Sequence, residues 1–124
     1  MNIAGTQSCR RLLFYRGSPM KFWTDGYDTY AAEMLEDVKQ EQIAQNIINE
    51  EDFYYSEWKE VSGNNQMWCC SFKKLNIVRL RDDEKYNNRI KKKCVKTLTE
   101  AFDKKRYVYK TKTGKSWFMC TVNI

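Results

Sequence analysis

The chain has 124 residues, of which 42% are apolar, 15% aromatic and 31% charged, and it contains no histidine. One domain with its own core is expected at this length, no apolar run approaches the roughly 18–20 residues of a membrane span, and the missing imidazole excludes Ser–His–Asp and Cys–His nucleophile systems, His-ligated zinc and histidine bases. The net charge is +6, but residues 1–72 carry 6 basic and 11 acidic side chains while residues 73–124 carry 16 and 5, an asymmetry that suggests a basic face for a polyanion.

Residues 1–24 hold Arg10, Arg11, Arg16 and Lys21 and no acid. They read in three ways: a first strand at Leu12-Leu13-Phe14-Tyr15, closed by Gly17-Ser18-Pro19; an appendage of residues 1–19 before a single domain at 20–124; or an organellar transit peptide. Residues 1–20 lack the continuous apolar stretch of a secretory signal, so an intracellular, cytoplasmic protein is expected. Cys9, Cys69, Cys70, Cys94 and Cys120 include no CxxC pair, which favours reduced, mostly buried thiols over a metal site. Neither a metal nor a cofactor is expected. The adjacent Cys69 and Cys70, if in a strand, face opposite sides.

Asp28 or Thr29 can cap a helix starting near Tyr30. Ala31, Met34, Leu35 and Val38 share one face of it. Ile43, Ala44, Ile47 and Ile48 fall on the opposite side at about 100° per residue. Either the helix breaks near Lys39–Gln42 or its second half needs another partner. Residues 53–61 read as an aromatic strand, 62–65 as a turn and 66–80 as a second strand bulged near Lys73–Lys74, which together make a hairpin. Asp82 or Asp83 then caps a helix running to Lys104–Lys105, with Tyr86, Ile90, Cys94, Leu98, Ala101 and Phe102 as its apolar stripe. A last hairpin pairs residues 106–110 with 116–124. The resulting order, (β)αββαββ, gives an α+β fold with two helices on a mostly antiparallel sheet. If the first strand is present, its beginning follows the split βαβ order of a ferredoxin-like domain.

Two constellations carry the functional reading. Lys85, Arg89, Lys92 and Lys96 lie at offsets 0, 4, 7 and 11, so on one helix they form a solvent-facing row spanning about 16 Å, a match to a run of phosphates. On the last hairpin, Arg106, Lys110, Lys112 and Lys115 interleave with Tyr109 and Trp117, as a single strand of nucleic acid requires for stacking and neutralisation. The expected function is therefore a small, basic, non-enzymatic module that binds nucleic acid or another polyanion. The alternative is a protein–protein module, an inhibitor or assembly subunit, that meets a partner or a second copy through Ile43, Ile47, Glu50 and Glu51. A third reading, a metal-dependent nuclease, uses Glu57-Trp58-Lys59 with Asp25, Asp28 or Asp37 as the upstream carboxylate. Gly114-Lys115-Ser116 lacks the earlier glycine of a phosphate-binding loop, since position 109 is Tyr.

Overall fold

In the computed structural model, residues 20–81 and 83–122 are described. The expected strand at 12–15, the appendage and transit readings, Cys9, the Asp82 cap and residues 123–124 lie outside them.

The first described element is a hairpin of β1 (Lys21–Thr24) and β2 (Thr29–Ala32). Asp25 Oδ1 accepts from the N–H groups of Tyr27 (2.9 Å) and Asp28 (2.8 Å), and Gly26 takes a φ of 98°. This Asp-Gly turn displaces the expected helix start at Tyr30. Ala31 and Ala32 favour helix by propensity, but here they lie in a central strand covered on both faces. Ala31 stands between Phe22 and Trp117 on the two neighbouring strands, and a small side chain there leaves room for both rings.

The helix begins five residues late, as α1 (Leu35–Ala44), with Glu36 and Asp37 in its first turn, where acids suit the helix dipole. It does not break near Lys39–Gln42. It ends where Asn46 adopts φ 60°, with Asn46 N–H bonded to Ile43 O and Ile47 N–H to Gln42 O, both at 3.0 Å, a Schellman end. Ile43 and Ile47 therefore do not share one helix. Residues 53–61 are not one strand. Two short 3-10 turns, Glu50–Asp52 and Tyr55–Glu57, tuck Phe53 and Trp58 against Tyr30, and β3 is confined to Lys59–Val61. Burying residues five apart does not fit a period of two.

The turn at 62–65 forms, but the expected hairpin around it does not. β3 pairs with β1, while β4 (Gln66–Cys69) pairs with β5 (Val95–Thr97) in a separate two-stranded sheet. Residues 72–80, expected as strand, are α2 (Phe72–Leu80), whose first turn is capped by Ser71 Oγ accepting from Lys74 N–H at 3.3 Å. Asp83 caps α3 (Glu84–Lys91) as expected, its Oδ1 accepting from Tyr86 N–H at 3.1 Å. The single helix to residue 105 is a misreading: after α3 come β5 and then α4 (Leu98–Lys104), capped by Thr97 Oγ1. The β-branched Val95 and Thr97 satisfy the backbone of β4, a gain no helix at those positions offers.

The last hairpin is as expected, with shorter strands: β6 (Val108–Lys110) and β7 (Ser116–Met119) pair antiparallel. The main sheet has the order β3-β1-β2-β7-β6, and all its pairings are antiparallel. Beyond β7, Cys70 N–H bonds Cys120 O (3.0 Å) and Val122 N–H bonds Trp68 O (2.8 Å), which ties the two sheets together. The fold is thus a single α+β domain, in the element order ββαββααβαββ rather than (β)αββαββ with a ferredoxin-like start.

Both faces of the main sheet are covered. Phe22, Ala31, Val108 and Met119 pack with Leu98, Ala101, Val95 and Cys69 on one side, and Tyr30, Ala32, Val38, Phe53 and Trp58 pack on the other. A smaller cluster, Cys70, Leu75, Cys120 and Val122, seats α2. Cys69 ends β4 and packs in the first cluster, while Cys70, just beyond the strand, packs with the third. No helix among the described residues is long and apolar enough to cross a membrane.

Candidate functional site

β6 is an edge strand of the main sheet and β7 pairs it to β2, so the β6 backbone edge and the turn beyond it lie at the margin of the fold. Register puts Lys110 opposite Trp117 and Tyr109 opposite Phe118. The two pairs therefore project to opposite sides. On the first side, Lys105 Nζ sits 3.7 Å from the Phe102 ring centroid and 4.7 Å from that of Trp117, and Lys110 Nζ lies 5.8 Å from Trp117. Phe102 meets Trp117 edge to face. Trp117, expected as a stacking platform, is half-buried and already clothed by cations and an aromatic edge. Its contribution is to hold those ammonium groups in place.

Lys105, Arg106, Lys110, Lys112 and Lys115 are all exposed, and none forms an ion pair with another described residue. Lys104 differs, since it bonds Glu100 at 2.8 Å. Arg106 is held between two residues in the left-handed region, Lys105 at φ 53° and Tyr107 at φ 64°. For side chains of this size such backbone costs on the order of 1–3 kcal/mol each, a kind of strain that gathers at functional segments.

The four-cation helical row does not exist. Lys85 and Arg89 remain four apart on α3, but Lys92 caps its end and Lys96 sits on β5. All four stay exposed and without an ion pair to a described residue. Arg81 and Arg89 flank the Tyr86 ring at 4.3 and 5.6 Å.

The second side of the hairpin opens on a groove of about 620 Å³ between the end of α1, the start of α2 and residues 109–112. Buried Tyr30 and half-buried Phe118 floor it, and exposed Ile47, Phe72 and Tyr109 rim it. Tyr109 stacks on Phe72 (4.9 Å, 26°) and Phe72 on Phe118 (5.9 Å, 5°). Tyr109 and Phe72 nevertheless stay 41% and 46% exposed. The sequence reading places Phe72 inside the strand expected at 66–80 rather than at the start of a helix. Its signal is Ser71, a cap that starts a helix on a surface aromatic.

The wall formed by residues 111–113 is fixed from below by Glu41, which is fully buried. Its carboxylate accepts from Thr113 N–H (2.9 Å), Lys112 N–H (3.3 Å) and the Gln45 amide. Burial pushes its acidity down, but the Gln45 and Thr113 donors outweigh this and hold the carboxyl below the usual range.

Of the alternative residues, Ile43 is half-buried on α1, Ile47 reaches the groove, and Glu50 and Glu51 are exposed on the 3-10 turn. Glu57 and Lys59 do not share a strand, since Glu57 closes a 3-10 turn and Lys59 opens β3. Asp25 lies in the β1–β2 turn and Asp37 on α1, and among the described residues no three His, Cys, Asp or Glu side chains gather to hold a metal. Cys69 and Cys70 are buried free thiols, Cys120 is buried and Cys94 is half-buried. Burial pushes Cys69 up to about 12 and raises Cys70 as well, which leaves little thiolate for nucleophilic chemistry.

No protein-family model, no curated protein and no solved structure matches this chain.

Proposed function

We propose that this protein is a non-enzymatic nucleic-acid-binding module that grips the phosphate backbone with the β6–β7 hairpin. One observation carries the reading. Five exposed cations, Lys105 and Arg106 in the link from α4 and Lys110, Lys112 and Lys115 on the β6–β7 hairpin, have no ion-pair partner among the described residues. Ring contacts position Lys105 and Lys110 without neutralising them, and a phosphate chain releases condensed counterions on meeting such charges. Lys85, Arg89, Lys92 and Lys96 extend the basic surface as secondary contacts. The buried free thiols of Cys69 and Cys70 suit a reducing compartment, in keeping with a cytoplasmic role.

The test is binding of a labelled 20-nucleotide strand and its duplex at low and near-physiological salt. Affinity should fall steeply with salt, by about 0.7–0.9 in log–log slope per phosphate contact. Lys110→Glu with Lys112→Glu should cost at least about tenfold and flatten that slope, while Lys85→Glu with Lys92→Glu costs less. Unchanged binding in the hairpin double reversal, or no binding at low salt, overturns the reading. A protein partner is the second reading, favoured by the 52% exposure of Ile47 close to acidic Glu50 and Glu51. It predicts a complex, seen by sedimentation, that Ile47→Glu dissociates without unfolding the domain.

A further inference from the structure

We infer that the nucleic acid is single-stranded, and that the groove beside the hairpin receives one unpaired base against Tyr109 and Phe72. This inference rests on the nucleic-acid reading above and adds the form of the ligand.

The groove's size, about 620 Å³, falls in the range of roughly 300–1,000 Å³ typical of pockets that enclose a small organic ligand. Its apolar surface is largely aromatic: Tyr30, Phe72, Tyr109 and Phe118 line it, with Ile47 as the aliphatic side. An aromatic surface accepts the flat face or edge of any base, which is how single strands are held without sequence readout. A base in a duplex is paired and stacked within the helix, and cannot enter such a groove without being flipped out.

The groove also has a direction. The β2–β7–β6 register aligns Tyr30, Phe118 and Tyr109 across it. Lys112 follows Tyr109 toward the hairpin tip, whereas Asp28 precedes Tyr30 toward the other end. A cation at one end and a carboxylate at the other fit a nucleotide lying with its phosphate toward Lys112 and its base on the rings. Such a polarity suits a nucleotide better than an apolar peptide. The two hairpin faces then divide the work. Lys105 and Lys110, steadied over Trp117, follow the phosphate chain across the β6 edge, and Tyr109 holds a base on the far side. Glu41 is the positioning residue, because its bonds to Lys112 and Thr113 N–H set the wall on which the phosphate end depends.

The experiment compares three probes by fluorescence anisotropy at one salt concentration: a labelled 20-nucleotide single strand, its duplex, and a single strand of equal length made abasic throughout. The full strand should bind at least about tenfold more tightly than the abasic one, the scale of one stacked base. Tyr109→Ala and Phe72→Ala should reduce the full strand to the abasic level and leave duplex and abasic binding within about twofold. Tyr109→Phe should retain the full effect. Equal affinity for full and abasic strands overturns the groove assignment while leaving the electrostatic reading intact. Absence of binding to every probe at low salt overturns both. The abasic comparison uses the native protein, so it holds even if Phe72→Ala loosens α2. If an acidic, aromatic-rich peptide displaces the strand from the groove and the abasic strand still binds as well as the full one, the groove belongs to a protein partner and the inference fails.

Discussion

Glu41 offers the sharpest test of the packing described here. It is a fully buried carboxylate on α1 that accepts N–H bonds from Thr113 at 2.9 Å and Lys112 at 3.3 Å, across 72 and 71 residues of sequence, and a further bond from Gln45. Hydrogen bonds to a charged group contribute about 1.5–3 kcal/mol each, and a buried donor left unpaired costs about 1–3 kcal/mol. The bonds share one acceptor group and are not additive, so Glu41→Ala should destabilise the domain by about 3 kcal/mol. At about 4 °C per kcal/mol for a chain of this size, that lowers Tm by roughly 12 °C. Glu41→Gln keeps the shape and one acceptor oxygen but loses the charge, and should cost about half as much.

The pH dependence gives a second readout. The folded carboxyl lies below its ordinary value. Its charge therefore stabilises the fold fully above the ordinary Glu range, near about pH 4.3, and that contribution is lost as pH falls through the folded value. Glu41→Gln should remove part of the acid slope of stability. Urea titrations followed by tryptophan fluorescence between neutral pH and acid measure both effects. A Glu41→Gln variant with wild-type stability at neutral pH and the same acid slope would refute the role of the carboxylate, and with it the account of how the hairpin tip is held.

Two further expectations follow from the packing. Gly63 has no room for a side chain, since a Cβ there meets Thr99 Oγ1 and the Phe22 ring, while Gly63 O holds Thr99 N–H at 3.0 Å. Gly63→Ala should therefore cost about 1–3 kcal/mol, and a thermal melt within about 0.5 kcal/mol of wild type would show that α4 yields more easily than described. Alkylation with iodoacetamide near pH 8, mapped by mass spectrometry, should label half-buried Cys94 before Cys69 or Cys70, whose thiols burial keeps protonated. Equal labelling rates at these sites would contradict the burial of the Cys69 and Cys70 side chains.

Much of the hairpin site could be read from the chain itself. Residues 106–110 and 116–122 alternate as strands do, the turn at 111–115 contains Gly114, and the cations fall where solvent faces them. The Asp83 cap is an equally local fact. These features depend on neighbours a few residues apart, which is the range over which propensity, capping and period operate. What failed was whatever depended on distant partners. Tyr30, Ala31 and Ala32 look helical until β1 and β7 bracket them, and Val95–Thr97 continue a helix on paper until β4 offers its unpaired backbone. Because the central strands are covered on both faces, polar residues do not alternate with apolar ones there, and the usual strand signature is absent. Phe72 joined the site only when α2 laid it against Tyr109, 37 residues away in the chain. The sequence alone determined the α+β class, the local caps and turns, and the positive charge of the last hairpin. Tertiary structure alone decided which strands pair, split the long basic helix in two, and set an aromatic groove beside those cations, because burial and backbone pairing are satisfied between segments rather than within them.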